Sequence, residues 1–159
     1  VIPISFVRVS SLLHAPRLAR GWAQQVISLL DPTIRQADIP RADSFPGAEH
    51  RTWFFHDSDN IVRGPGCDAI VQIMQFARPD TRILVHCHAG MSRSPSIAIG
   101  LLIARGIPAR EAMRFVFAQD LIDLEGSVME PNELILRHLD QRLGQGGLLV
   151  PMCREEMVR

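Results

Sequence analysis

The run His86-Cys87-His88-Ala89-Gly90-Met91-Ser92-Arg93-Ser94-Pro95 lies between two apolar segments of different character. Before it, Arg82-Ile83-Leu84-Val85 is short and continuous, which predicts a buried strand. After it, Ser94-Pro95-Ser96 leads into the apolar stretch from Ile97 to Ala104, which predicts a buried helix, with Pro95 in the first turn where a missing N–H costs nothing. Strand, tight turn and helix in that order, in a chain that alternates such segments throughout, predict an α/β fold. The expected core is a central, mainly parallel sheet of about four to five strands with helices on both faces.

The turn itself carries chemistry. Backbone N–H groups from about His88 to Arg93 can curl into a concave nest, and the N-terminal end of the following helix adds partial positive charge. Gly90 lets the chain turn sharply and approach a ligand closely. A cysteine at a helix N-terminus beside an arginine loses its proton more readily than a free thiol, so Cys87 is expected to act as a nucleophile. Arg93, six residues on, offers a planar fork that binds two oxygens of a phosphoryl group, a geometry lysine lacks. Ser94 is placed to donate a hydrogen bond to the sulfur, and His86 to order the loop from behind.

The pattern His-Cys-x-x-Gly-x-x-Arg-Ser at 86–94 resembles the signature of the cysteine-dependent protein tyrosine phosphatases. With Pro95 following and a chain of 159 residues, it is most similar to their compact dual-specificity branch, which includes small bacterial tyrosine-phosphatase-like proteins. The resemblance implies two-step hydrolysis of a phosphomonoester through a cysteinyl phosphate. It assigns substrate binding to His88, Ala89, Gly90, Met91, Ser92 and Arg93, and it implies no metal and no organic cofactor. A related loop with Cys-x5-Arg also serves sulfurtransferases and arsenate reductases. Those chemistries, and a non-catalytic phosphate-binding module, stand as alternative readings.

The family mechanism needs a general acid on a separate upstream loop. Thr52-Trp53-Phe54-Phe55-His56 predicts a buried strand with Asp57 directly at its C-terminal end, on the sheet edge where α/β folds bind ligands. Asp57 stands thirty residues before Cys87 and Asp59 twenty-eight. Asp57 is preferred, Asp59 is the alternative, and the one that is not the acid would be solvated or cap the turn. Near the end, Glu130-Pro131-Asn132 opens an amphipathic stretch to Leu143. The resemblance gives Asn132 a role supporting the phosphate loop; an ordinary helix start explains it equally well.

Composition narrows the function classes. The 17 basic and 17 acidic residues balance, with no basic stripe of the kind that nucleic-acid binding needs. No apolar run reaches the length of a membrane span, and Val1 to Arg20 lacks the uninterrupted apolar stretch of a signal peptide. A cytoplasmic location is expected, since the 3 cysteines form no disulfide framework and a reactive thiol is best kept in a reducing compartment. His86 and His88 flank Cys87 but point in different directions, and no second cluster at zinc-like spacing completes a metal site. The substrate is expected to be a phosphorylated protein or peptide, phosphotyrosine first. No lysine lies between Cys87 and Arg93 to hold extra phosphates, which argues against inositol lipids and triphosphorylated RNA.

Along the chain, strands are expected at Ile4 to Val9 and Val26 to Leu30, and residues 33–51 are expected to cross the surface away from the core. Ile70, Ile73, Met74 and Ala77 share one helical face. Another helix is expected from Pro108 to about Gln119 after a C-cap at Gly106, and Leu136, Leu139 and Leu143 mark the buried face of the last one. One catalytic domain is expected over 1–143, with 144–159 a flexible tail. Cys67 reads as a small residue at a helix start rather than a redox partner for Cys87, and Cys153 has no assigned role.

Overall fold

The structure is a computed structural model that describes residues 6–119 and 128–159. It contains a sheet of four strands, β1 (Val7–Ser10), β2 (Gln25–Leu30), β3 (Glu49–Phe54) and β4 (Ile83–His86), all parallel, in the order β1-β4-β2-β3. Six α-helices accompany it: α1 (Ala15–Ala19), α2 (Cys67–Phe76), α3 (Arg93–Ala104), α4 (Ala109–Phe117), α5 (Glu133–Leu143) and α6 (Leu149–Met157). This is the expected α/β class with four strands. Residues 4 and 5 of the first expected strand lie outside the described residues.

Alternation along the central strands divides the core. Ile27, Leu29, Ile83 and Val85 face a large cluster that takes in side chains from α2 to α6, whereas Val26 and Leu84 face a small one built with Ala15 and Ala19 of α1 and with Phe45. Helices therefore cover both faces, very unequally. α3 is the central element: Arg93 to Leu102 are buried without a break. Each fully buried isoleucine or leucine there contributes about 1.5–3 kcal/mol, so the helix that follows the Cys87 turn is firmly anchored. Gly100 lets it approach α5, since a Cβ there would meet Leu139 Cδ2 at 2.6 Å.

Three expectations need correction. The strand expected over Thr52–His56 runs from Glu49 to Phe54 at the sheet edge, with only Trp53 fully buried in it, and Asp57 lies three residues beyond its end. Residues 33–51 are not wholly an excursion: 49–51 open β3, and Phe45 drops into the small core at 1% exposure. Residues 144–159 are no loose tail either. Gly144 caps α5 in the left-handed conformation, and α6 then docks with Leu149 and Cys153 buried in the large core. Glu156 pairs with Arg110 and Arg114 of α4, and Arg154 pairs with Glu133 of α5. These partners lie tens of residues away in sequence, although the 149, 153, 156 spacing is a helical stripe that could have revealed the helix.

At the opposite sheet edge the side chain of Gln119 stands in for a neighbouring strand. The Val9 N–H donates to its Oε1 at 2.8 Å, and its Nε2 donates to the Val7 carbonyl at 3.4 Å. Two edge groups of β1 are thereby satisfied. Among the described residues, no helix is long and apolar enough to cross a membrane.

Candidate active site

β4 ends at His86, and the chain turns at once through residues 87–92 into α3. Cys87 is buried beneath this turn. Its Sγ accepts a hydrogen bond from the Gly90 N–H at 3.2 Å, and Ser94 Oγ lies 3.1 Å away. Gly90 is required twice over. Its φ is +75°, and a Cβ would lie 2.9 Å from the carbonyl carbon and oxygen of Ser10. His88 and Ala89 are exposed at the tip of the loop, and Met91 and Ser92 are half-buried. The Leu12 N–H ties the loop to the β1–α1 connection by donating to the His88 carbonyl at 3.0 Å.

Arg93 is buried at the first position of α3. Its Nη1 donates to the Phe55 carbonyl at 3.0 Å, while its buried Nε has no hydrogen-bond partner among the described residues. A buried donor without an acceptor costs about 1–3 kcal/mol. An oxyanion over Cys87 is the chemistry that would satisfy it.

Asp57 faces this loop from the connection between β3 and α2. Its Oδ1 accepts from Ser92 Oγ at 2.8 Å and from Asn132 Nδ2 at 3.0 Å. Both of these bonds go to one carboxylate oxygen. Asp57 stands between two depressions, one shared with Asp59, Asn132 and Glu133, the other with Asp31, His56 and Arg63. Asp59 is engaged elsewhere: its Oδ1 accepts the Glu133 N–H at 3.0 Å, so it caps the first turn of α5. Geometry thus brings Asp57, and not Asp59, onto the phosphate-loop residue Ser92.

Asn132 bonds both to the first turn of α5 and to the loop after Cys87. As N-cap of α5, its Oδ1 accepts the Ile135 N–H at 3.0 Å. Its Nδ2 also donates to Ser58 O at 3.2 Å, and its backbone N–H donates to Ser92 O at 3.2 Å. Ser96 Oγ, at 2.9 Å from Ser92 O and 3.2 Å from Asn132 O, closes the joint. Gly64 completes the docking of the Asp57 loop, because a Cβ there would overlap the Ser58 carbonyl and approach Leu134 Cδ2 at 2.5 Å.

Behind the loop His86 is fully buried, and burial pushes its pKa down to about 4. Its ring bonds to Cys87 O at 3.2 Å through Nδ1 and to Ser28 Oγ at 2.5 Å through Nε2. Ser28 was not singled out from the sequence, where a lone serine in an apolar strand carries no signal. Of the other cysteines, Cys67 is exposed at the first residue of α2. Cys153 is buried, and that burial together with nearby Glu133 pushes its thiol up to about 11.

No protein-family model matches the chain, and no curated protein matches it in sequence. Solved structures do resemble it. The human tyrosine phosphatase-like serine/threonine/tyrosine-interacting protein superimposes with a TM-score of 0.66 at 15% identity, over 91% of this chain and 95% of that one. The PTP-2 phosphatase of Cydia pomonella gives 0.61 at 22% identity, over 85% and 84%. PTPMT1 in complex with PI(5)P gives 0.60 at 16%, over 91% and 93%. The chain has the fold shared by the cysteine-dependent protein tyrosine and dual-specificity phosphatases.

Proposed function

We propose that the protein hydrolyses phosphomonoesters through a cysteinyl phosphate on Cys87, with phosphotyrosine in proteins as the favoured substrate. The observation that carries this reading is one constellation. Cys87 Sγ lies under the Gly90 N–H, beside Ser94 Oγ, with Arg93 buried next to it and Asp57 held across the loop by Ser92. In the first step the thiolate attacks phosphorus while the loop amides and the Arg93 guanidinium stabilise the equatorial oxygens. Asp57 protonates the departing ester oxygen from Oδ2. In the second step the same carboxylate takes a proton from water, which attacks the phosphocysteine and releases inorganic phosphate. The P–S bond breaks with its electron pair on sulfur, and the Ser94 hydroxyl donates a hydrogen bond to the departing thiolate.

Two features support an aromatic ester over an inositol lipid. Exposed Leu13, Ile61 and Val62 sit on the two loops that flank the site and offer apolar surface to a ring. The loop tip between Cys87 and Arg93 brings neither lysine nor arginine to bind further phosphates. PTPMT1, of similar fold, has been solved in complex with PI(5)P, so phosphoinositides are the comparison substrate. The test is steady-state hydrolysis of p-nitrophenyl phosphate in chelator at pH 5 to 8, wild type against Cys87→Ser, followed by phosphotyrosine and phosphoserine peptides and PI(5)P. Turnover lost in the variant and fastest on phosphotyrosine is the expected result. An inactive, fully reduced wild type would overturn the reading in favour of a phosphate-binding module.

A further inference from the structure

Three strands contribute polar side chains to one hydrogen-bonded row behind the reactive loop. Ser28 of β2 is in register with His86 of β4 on one side and with Thr52 of β3 on the other. Ser28 Oγ lies 2.5 Å from His86 Nε2 and 2.7 Å from His50 Nε2, and Thr52 Oγ1 lies 3.3 Å from the same His50 nitrogen. Ser28 and His86 are fully buried, His50 is half-buried, and Phe45 packs edge-on to the His50 ring with its centroid 5.9 Å from that of His86.

The direction of every proton in this row follows from its end. The Cys87 carbonyl can only accept, so His86 Nδ1, at 3.2 Å from it, carries the hydrogen. A neutral His86 then has a bare Nε2, which needs a donor, and the Ser28 hydroxyl is the group in reach. Having given its only hydrogen to His86, Ser28 Oγ must accept from His50, which is therefore the Nε2–H tautomer. The row reads His50 Nε2–H to Ser28 O–H to His86 Nε2, and His86 Nδ1–H to Cys87 O. Burial depresses the pKa of both rings, which keeps His86 neutral through the working range. His50 is the titratable side chain that acts on His86, and protonating it would leave its Nε2–H in place.

We propose that Ser28, oriented by His50, is a positioning residue that sets the tautomer of His86 and so holds an N–H on the Cys87 carbonyl. This inference rests on Cys87 being the nucleophile of the reading above. A hydrogen bond into that carbonyl withdraws negative charge from beside the sulfur and fixes the peptide from which the loop springs. With Ser28 replaced by alanine, His86 Nε2 would be a buried acceptor without a donor. The ring would then favour Nε2–H and turn a bare nitrogen toward the carbonyl.

The test uses two readouts that need no phosphate ester. Long-range proton–nitrogen correlation spectra of the histidine side chains should show His86 as the Nδ1–H tautomer and His50 as Nε2–H in the wild type. An Nε2–H His86 would overturn the proposal without any variant, so it stays testable if Ser28→Ala does not fold. Alkylation of Cys87 by iodoacetamide, followed by peptide mass spectrometry, should slow about 3- to 10-fold at pH 6.5 in Ser28→Ala. The rate against pH should move to higher pH, with both effects reversed in Ser28→Thr. A folded Ser28→Ala with unchanged tautomer and alkylation profile would sink the proposal. Failure of p-nitrophenyl phosphate turnover alone would instead remove the phosphatase reading and leave these two results standing.

Discussion

The two loops that meet over Cys87 are built in opposite ways. The Cys87 loop is local: residues 86–94 supply the sulfur, the amide that bonds it, the serine beside it and the arginine, and the helix that stiffens them is the next element of the chain. The Asp57 loop is assembled from a distance. Its contacts with Ser92, Asn132, Glu133 and Leu134 span 35 to 75 residues of sequence. A local site can be read from a short motif because backbone geometry does most of the placing. A site held by distant side chains cannot, and that is why the sequence alone does not separate Asp57 from Asp59.

The largest effect should come from the local half. Cys87→Ser is expected to lower kcat on p-nitrophenyl phosphate by at least about 10⁴-fold, since no other group in the loop can take its place. A residual rate above one hundredth of wild type would mean that the loop is not the reacting centre.

Next comes the distant half, where the two aspartates separate. Asp57→Asn should reduce kcat by about 10²–10⁴-fold and flatten the basic limb of its pH profile. Asp59→Asn keeps an oxygen for the Glu133 N–H and should stay within about threefold of wild type. The reverse pattern, measured in the same assay, would exchange their roles.

Acid should distinguish the rear of the phosphate loop from the rest of the molecule. The unfolded chain protonates His86 near the ordinary histidine value, whereas the folded protein holds it down at about 4. The stability tied to this group is therefore complete above about pH 6.5 and lost as pH falls toward 4. About 2 kcal/mol should disappear between pH 7 and 5, read as a fall in the urea midpoint. Asp31, held down at about 2 by its hydrogen bonds to Thr33, titrates below that window, whereas His50, also held down by burial, adds to the fall, and His50→Gln separates its share from that of His86. An unchanged midpoint from pH 7 to 5 would show that His86 is not held neutral.

The smallest effect tests the joint between the two loops. Asn132→Ala removes an N-cap worth about 1 kcal/mol and frees Asp57 Oδ1 from one of its two donors. A loss of about tenfold in kcat with little change in KM is expected. Loss of stability without loss of kcat would leave Asn132 as a helix cap alone.

What the sequence determined by itself is the part in which each residue's role depends on near neighbours. The apolar strand at 83–85, Gly90, the Cys87–Arg93 offset and the apolar run from Ile97 were enough to place the reactive loop and the α/β class, because turn and helix geometry act over a few residues. Tertiary structure alone decided the rest. It put Asp57 on Ser92 and Asp59 on the start of α5, docked 149–157 as a helix through Glu156 and the two arginines of α4, and set Ser28 between two histidines. These outcomes depend on polar groups meeting across elements. Burial and hydrogen-bond satisfaction fix such meetings only after the sheet has brought distant segments together.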